Sequence, residues 1–323
     1  MVEEQKFIVE EYGGVDPFSS EDVRSVVSLL AGGTYDLAGS NVFIASCTED
    51  VIRRLAFLKR YSIYYGSYEK LEDLQSVSLP DGKFYVRIID PEGCHGSMDE
   101  ARAGKVLGGQ GRVSFSNPDF VVYLYHTGMW HLGIHLHHMI SESSSNRRAP
   151  MRPYFTPVSM DPKYASFLVN LGYFKPGSNL LDPFCGSAGI LIEAALKGYR
   201  VTGFDIVNEM VVGSRVNLKF YGIKDYDIRR QDFLSYDPDV RIDGIVTDFP
   251  YGRSSKLKYE ISKLYKDSAE KMAHILDRGS RICMVTDREE NLDFFLDNFK
   301  VDVVLKQRIH RSLTRHFVRL IKK

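Results

Sequence analysis

Asp182-Pro183-Phe184-Cys185-Gly186-Ser187-Ala188-Gly189 joins an apolar strand, Asn179-Leu180-Leu181, to an apolar helix running from Ile190 to Lys197. Glycines in such a turn let a ligand approach the backbone closely, at the carboxyl end of a central strand where open α/β sheets bind their ligands. A nucleotide-like cofactor is expected there. The loop is not the dinucleotide fingerprint, because Gly186-Ser187-Ala188-Gly189 lacks the first glycine of G-x-G-x-x-G and an acid opens the turn. An acid repels a pyrophosphate but accepts hydrogen bonds from an ammonium group, so a cofactor with an amino-acid end fits better than NAD.

Beyond this loop strand and helix signals alternate. They run Val201 to Phe204, a helix Asn208 to Tyr221, Ile228, Ile242 to Val246, a helix Leu257 to Leu276, Ile282 to Val285 and a helix Glu289 to Leu296, then the strands Val301 to Ile309 and Phe317 to Ile321. The alternation predicts an α/β fold with a mainly parallel sheet and helices on both faces. His310 to His316 is too short for a helical crossover, so the last two strands should form an antiparallel hairpin at one end. Upstream, Ser141 to Pro150 is polar, aperiodic and linker-like. Before it lies a second α/β region. Its strands are Phe7 to Glu11 and Val42 to Ser46, with helices opening at Ser19-Ser20-Glu21-Asp22 and, through Leu58, at Glu49-Asp50. A strand Phe84 to Ile88, a helix Met98 to Val106, the segment Arg112 to Phe115, and a hairpin of Phe120 to Tyr125 with Trp130 to Ile140 follow. The divisions expected are 1–76, 77–140, a linker 141–150, and 151–323.

The chain has 323 residues, 44% hydrophobic and 26% charged, which excludes a disordered, collagen-like or coiled-coil protein. No apolar stretch nears the roughly 18 residues of a membrane span, and the polar start has no secretory core; a cytoplasmic, membrane-free and monomeric protein is the default expectation. Cys47, Cys94, Cys185 and Cys283 lie too far apart to suggest a disulfide framework or a zinc ribbon. Lys and Arg number 42, as do Asp and Glu, so the whole molecule carries no nucleic-acid signal. The distribution is uneven: residues 1–50 hold ten acids and two bases, whereas 306–323 hold seven bases and no acid. That tail reads either as a face for an anionic partner or as a charged edge strand that resists pairing.

Asp205 ends the strand after the loop, 23 residues beyond Asp182, close to the spacing of a carboxylate that binds a ribose diol. Asp232 ends the next strand and suits an adenine amino group. Singly, each acid fits a cap of the following turn; in this order they form one cofactor rim. Asp248-Phe249-Pro250-Tyr251-Gly252-Arg253 follows the strand Ile242 to Val246. The lone pair of a nucleobase amine is delocalised into the ring. Asp248 and the carbonyl of Phe249 could both accept from that amine, Pro250 holds residue 249 extended, and Tyr251 offers an aromatic face for the base. His131, His135, His137 and His138 share a strand region but lack a carboxylate or cysteine at ligand spacing, so no metal site is expected. Cys185 has no partner base and reads as a small loop residue.

These motifs resemble the class I S-adenosylmethionine (SAM)-dependent methyltransferases that modify exocyclic amines. With Arg152-Pro153-Tyr154-Phe155, Asn170-Leu171 and Arg308 to Arg315, the chain resembles the archaeal tRNA guanosine-10 N2-methyltransferases. Phe84 to Arg87 with Val113 to Asp119 is similar to a THUMP RNA-binding domain, preceded by a ferredoxin-like segment. The resemblance implies a Rossmann-like seven-stranded sheet in 151–323, SAM as cofactor, tRNA as substrate and a mono- or dimethylated guanosine product. It places cofactor contacts at Asp182, Pro183, Phe184, Cys185, Gly186, Ala188, Gly189, Asp205, Ile206, Asp232, Phe233 and Asp248, and base contacts at Asp248, Phe249, Pro250 and Tyr251. Arg53, Arg54, Lys59, Arg60, Arg147, Arg148 and the tail bases are the candidate phosphate contacts. The family usually has proline at Phe249, so a ring is expected at the pocket mouth. Three alternatives stay open: a tRNA-binding protein of this fold that has lost transfer, an amine methyltransferase acting at another tRNA position, and a nicotinamide-dependent dehydrogenase, against which the acid-led loop argues.

Overall fold

The computed structural model describes residues 5–90, 95–108, 112–139, 144–156, 159–251 and 255–323. Two compact units, Met1–Glu142 and Ser143–Lys323, divide the chain.

In the first unit, strands β1 (Gln5–Glu11), β2 (Thr34–Gly39), β3 (Val42–Cys47), β4 (Leu58–Tyr68), β5 (Phe84–Ile89), β6 (Phe120–His126) and β7 (Trp130–Leu136) form one sheet in the order β2-β3-β1-β4-β7-β6-β5. Pairing is antiparallel except between β5 and β6. Helices α1 (Phe18–Val23), continued by a π-helical segment Arg24–Leu30, α2 (Glu49–Arg53) and α3 (Ser97–Val106) accompany it. Phe7, Val9, Val26, Val27, Phe43, Ile52 and Tyr61 make one core, and Phe84, Val86, Ala103, Val122, Leu132 and Ile134 another. The helix expected through Leu58 stops at Arg53. Asp22 accepts a hydrogen bond from the Ala56 amide at 2.6 Å, and Leu58–Tyr68 is an eleven-residue strand paired to β1. The aromatic and β-branched content of Tyr61-Ser62-Ile63-Tyr64-Tyr65 suits a pleated surface. Arg112 to Phe115 contributes only a bridge between Val113 and Phe84.

The second unit holds β8 (Asn179–Asp182), β9 (Arg200–Asp205), β10 (Tyr226–Arg230), β11 (Gly244–Asp248), β12 (Arg281–Thr286), β13 (Phe299–His310) and β14 (Leu313–Lys322), ordered β10-β9-β8-β11-β12-β14-β13. The first five are parallel, β14 runs antiparallel to β12, and β13 and β14 form the terminal hairpin. Helices α4 (Pro162–Leu171), α5 (Gly189–Leu196), α6 (Asn208–Phe220) and α7 (Ser255–Ile275) complete it. From β8 the chain moves outward to β9 and β10, then returns to β11 on the other side of β8. That reversal opens a crevice at the carboxyl ends of β8 and β11, the place where such sheets bind ligands. Helix α4 was not anticipated, although Asp161 caps it through the Lys163 amide at 3.0 Å and Pro162 takes its first turn. Glu289–Phe295 is 3-10 rather than α-helical. No helix of the described residues is long and apolar enough to cross a membrane.

Residues 144–147 and 149–151, expected within an aperiodic linker, form short 3-10 turns of the second unit, while 140–143 lie outside the described residues. Arg147 there makes a two-pronged pair with the buried Glu193 of α5, at 2.8 and 3.1 Å. Breaking a buried pair leaves an uncompensated charge, so Arg147→Ala is expected to cost about 3 kcal/mol of stability. Urea denaturation followed by circular dichroism checks this; an unchanged midpoint would show that the pair carries no net stability.

Candidate active site

The loop after β8 is held from several sides. The Cys185 amide donates to the Phe204 carbonyl at 2.8 Å, Ser214 of α6 donates to the Gly186 carbonyl at 2.6 Å, and Asn217 donates to that of Ser187 at 3.0 Å. Gly186 has φ +51°, a left-handed conformation that favours glycine, and a Cβ there would meet open space. Ala188 takes φ +64° immediately before α5. The turn thus leaves open space beside the half-buried Gly186, with no side chain filling it.

Three carboxylates converge on this loop. Asp182, almost fully buried, accepts from Thr247 Oγ1 at 2.7 Å and from the Phe184 amide at 3.1 Å. Thr247 precedes Asp248 on β11, so this bond ties the end of β8 to the acidic tip of β11. Asp205 accepts from the Gly186 amide at 3.1 Å and from the Val207 amide at 2.8 Å. Burial pushes the Asp182 carboxyl up to about 7; its hydrogen bonds oppose the rise, and the nearby charges of Asp248 and Asp205 add to it. Asp248 is raised to about 6, again by burial first, with Arg315 and the Tyr251 hydroxyl lowering it and Asp287 raising it. The Tyr251 hydroxyl donates to Asp248 Oδ1, and Arg315 Nη2 stands 3.9 Å from Oδ2. Arg315 lies on β14, so the terminal hairpin supplies a cation beside Asp248.

The other expected positions divide. Ile206, next to Asp205, is 66% exposed and offers an apolar platform. Asp232 is exposed and caps the turn Phe233–Ser235 through the Leu234 amide at 3.0 Å. Pro183 and Cys185 are buried in the loop, Phe184 is half-buried, and burial pushes the Cys185 thiol up. The Phe233 ring lies in the core, edge-on to Phe184 at 6.2 Å. Phe249 departs from the expectation. Its ring does not stand at a pocket mouth but is 1% exposed, stacked on Tyr265 at 4.3 Å and tilted against Phe184 at 5.0 Å. The Phe249 amide donates to the Val285 carbonyl at 3.0 Å, which anchors the backbone whose oxygen was expected to act. Pro250 is exposed; Gly252 and Arg253 lie outside the described residues.

The expected phosphate contacts are largely engaged within the fold. Arg53 donates to Glu49 and to the His138 carbonyl, and Lys59 and Arg60 both meet the buried Glu10 at 2.7 Å. Arg54 has its Nε buried. Arg147 is committed to Glu193, whereas Arg148 remains well exposed, 3.4 Å from Asp161. In the tail, Arg319 is wholly buried against Asp302 and the Leu171 carbonyl; Arg308 and Arg311 are exposed on and beside the edge strand β13. His131 bonds Ser67 and Thr127, His135 donates to the Tyr61 carbonyl and His137 to that of Pro118.

Residues 149–316 match the family model described as RMKL-like, methyltransferase domain. Over 330 aligned residues the chain is 30% identical to the tRNA (guanine(10)-N2)-dimethyltransferase of Pyrococcus abyssi, a match that spans 96% of this chain and 98% of that protein. The chain belongs to the tRNA (guanine(10)-N2)-dimethyltransferase family. A member from Methanothermobacter thermautotrophicus is 44% identical over 180 residues, 55% of this chain and 54% of its own length. In fold, the chain is similar to TrmN from Thermus thermophilus, with a TM-score of 0.59 at 20% identity over 99% of this chain and 100% of that one. The mainly parallel seven-stranded sheet and its terminal antiparallel hairpin are those expected of the family's methyltransferase domain.

Proposed function

We propose that this chain methylates the exocyclic N2 amine of guanosine 10 in tRNA, giving N2-methylguanosine and then N2,N2-dimethylguanosine, with SAM as donor. One observation carries the reading: the Thr247–Asp182 and Gly186–Asp205 bonds join the acceptor strand tip and the cofactor loop into a single acidic rim at the switch point of the sheet.

The residues fit SAM. The buried Asp182 would hold its ammonium, Asp205 its ribose, and the exposed Ile206 and Asp232 its adenine. Its carboxylate has a candidate partner in Arg152, whose two terminal nitrogens are buried without hydrogen-bond partners; Nη1 would lie 3.0 Å from a Cβ at Gly189, the first residue of α5. Its Nε donates to the Arg147 carbonyl at 2.9 Å, and burial disfavours its charge while Tyr221 and Glu193 favour it; a carboxylate ligand at the two terminal nitrogens relieves the remaining cost of their burial. Arg152→Ala is therefore expected to weaken cofactor binding about tenfold, or roughly 1.4 kcal/mol, with Arg152→Lys intermediate. Calorimetric titration with S-adenosylhomocysteine measures it, and equal affinities would remove Arg152 from the site.

When bound, SAM supplies an electrophilic methyl on a sulfonium, which becomes a neutral thioether as the methyl passes to nitrogen. Asp248 and the Phe249 carbonyl accept from the target amine, localising its lone pair towards the methyl, and Asp248 takes the proton that the amine sheds. Pro250 keeps residue 249 extended, the Val285 contact fixes its height, and Tyr251 packs on the base. Arg315 offsets the burial of Asp248 and favours its ionised form. The base must leave its stack to reach this site, at a cost of a few kcal/mol, and the N-terminal unit binds the RNA to offset it. With the Phe249 ring packed inside the core, it does not obstruct the base.

Incubating the full chain with unmodified tRNA and labelled SAM, then measuring nucleoside masses, tests the proposal. Methylated guanosine is the expected product; tRNA bound without incorporation would identify a binding protein of the same fold.

A further inference from the structure

Outside the transferase unit, Asp90, His95 and His126 place one ligand atom each within 4.8 Å of one another, and all three side chains are half-buried. The topology explains the meeting. Strands β5 and β6 are parallel neighbours whose register ends at Ile89 opposite Tyr125, so the next residues, Asp90 and His126, emerge side by side. His95 lies two residues before α3, and its backbone amide donates to Asp90 Oδ2 at 3.0 Å, which brings its ring over the same strand ends. The His95 and His126 rings meet edge-to-face at 4.7 Å, and Trp130 lies 4.6 Å from each, forming an apolar wall. Asp99 Oδ2 stands 3.5 Å from His95 Nδ1, where an outer carboxylate would orient a metal-bound imidazole.

We propose that Asp90, His95 and His126 bind a divalent transition-metal ion of zinc's type, which fastens the start of α3 to the ends of β5 and β6. Two imidazoles and one carboxylate form a borderline donor set that suits Zn²⁺ better than Mg²⁺ or Ca²⁺, with water completing the coordination. Donors around one such ion stand about 3.3 Å apart for bonds of about 2.0 Å. The present ligand atoms, all within 4.8 Å of one another, stand at most about 1.5 Å wider than that spacing. His131, His135 and His137 are instead bonded to protein oxygens, and His138 stands 3.7 Å from Glu49. His131, His135 and His137 share the β7 region, whereas the proposed ligands come from three separate segments with no common period.

The test uses the full chain stripped with EDTA and dialysed against Zn²⁺ or Mg²⁺, with Co²⁺ as a spectroscopic probe. One equivalent of Zn²⁺ should bind in the presence of excess Mg²⁺, and Co²⁺ should show a visible absorption band of low coordination number. Both should be lost in His95→Ala/His126→Ala and retained in His137→Asn. S-adenosylhomocysteine binding, measured on each variant, shows that the transferase unit is folded. Failure of the native chain to bind Zn²⁺ stoichiometrically, binding that survives in the double variant, or equal loss in His137→Asn would each overturn the proposal.

Discussion

Asp248→Ala is expected to lower methyl transfer by roughly 10²–10³-fold, the range found when one preorganised polar partner of a reacting group is removed, while cofactor binding through Asp182 and Asp205 persists. Asp248→Asn keeps an oxygen that accepts from the amine and loses the proton acceptor, so its rate should fall between the two. The pH dependence separates these roles. Burial raises the Asp248 carboxyl to about 6, and only the ionised form accepts both the hydrogen bond and the proton. Transfer should therefore climb with pH through about 6 and level above it; at pH 5 about a tenth of the carboxyl is ionised and the rate drops accordingly. In Asp248→Asn that limb should vanish. Single-turnover rates at saturating cofactor measure the profile, and an alanine variant with native rates would remove Asp248 from the chemistry.

Asp182→Asn addresses the cofactor half. The native carboxyl sits near 7 because it is buried, so in the free protein it is about half protonated at neutral pH. An ammonium ligand favours the ionised form. Affinity should thus fall by up to tenfold for each pH unit below 7 and be constant above it. The asparagine variant should bind S-adenosylhomocysteine roughly 10–100-fold more weakly at pH 8, the worth of a charge-assisted hydrogen bond, and without the acid limb. Calorimetry between pH 5.5 and 8.5 reads both effects. Native affinity in the variant would mean that the ammonium binds elsewhere.

What could be read from the chain depended on how local the signal was. The cofactor loop, Asp205 and the Asp248 segment were legible because each is a short run at a strand end, and the strand order then brought them together. The terminal hairpin was legible from a connection too short for a helix. Long-range pairing was not legible. The helix at Glu49 ended early because Asp22, 34 residues before Ala56, takes the Ala56 amide, and because β1 offers Leu58–Tyr68 a partner strand. Arg147, Lys59 and Arg60 looked like free cations until Glu193 and Glu10, 46 and about 50 residues away, proved to be their partners. Phe249 looked like a mouth residue because its neighbours are; its ring turns inward onto Tyr265, from a helix the segment alone does not reveal. The places of Arg315 beside Asp248 and of Arg152 beside Gly189 were not legible, since each depends on folding across more than thirty residues.

The acceptor is the exocyclic amine of a single base, and removing that amine tests the account most directly. Two tRNAs identical except for guanosine or inosine at position 10 should be given to the enzyme with labelled SAM; inosine keeps the ring and its O6 but lacks the N2 amine. Incorporation into the guanosine substrate and none into the inosine substrate is the predicted result. Equal incorporation into both would contradict it, placing the methyl on another atom.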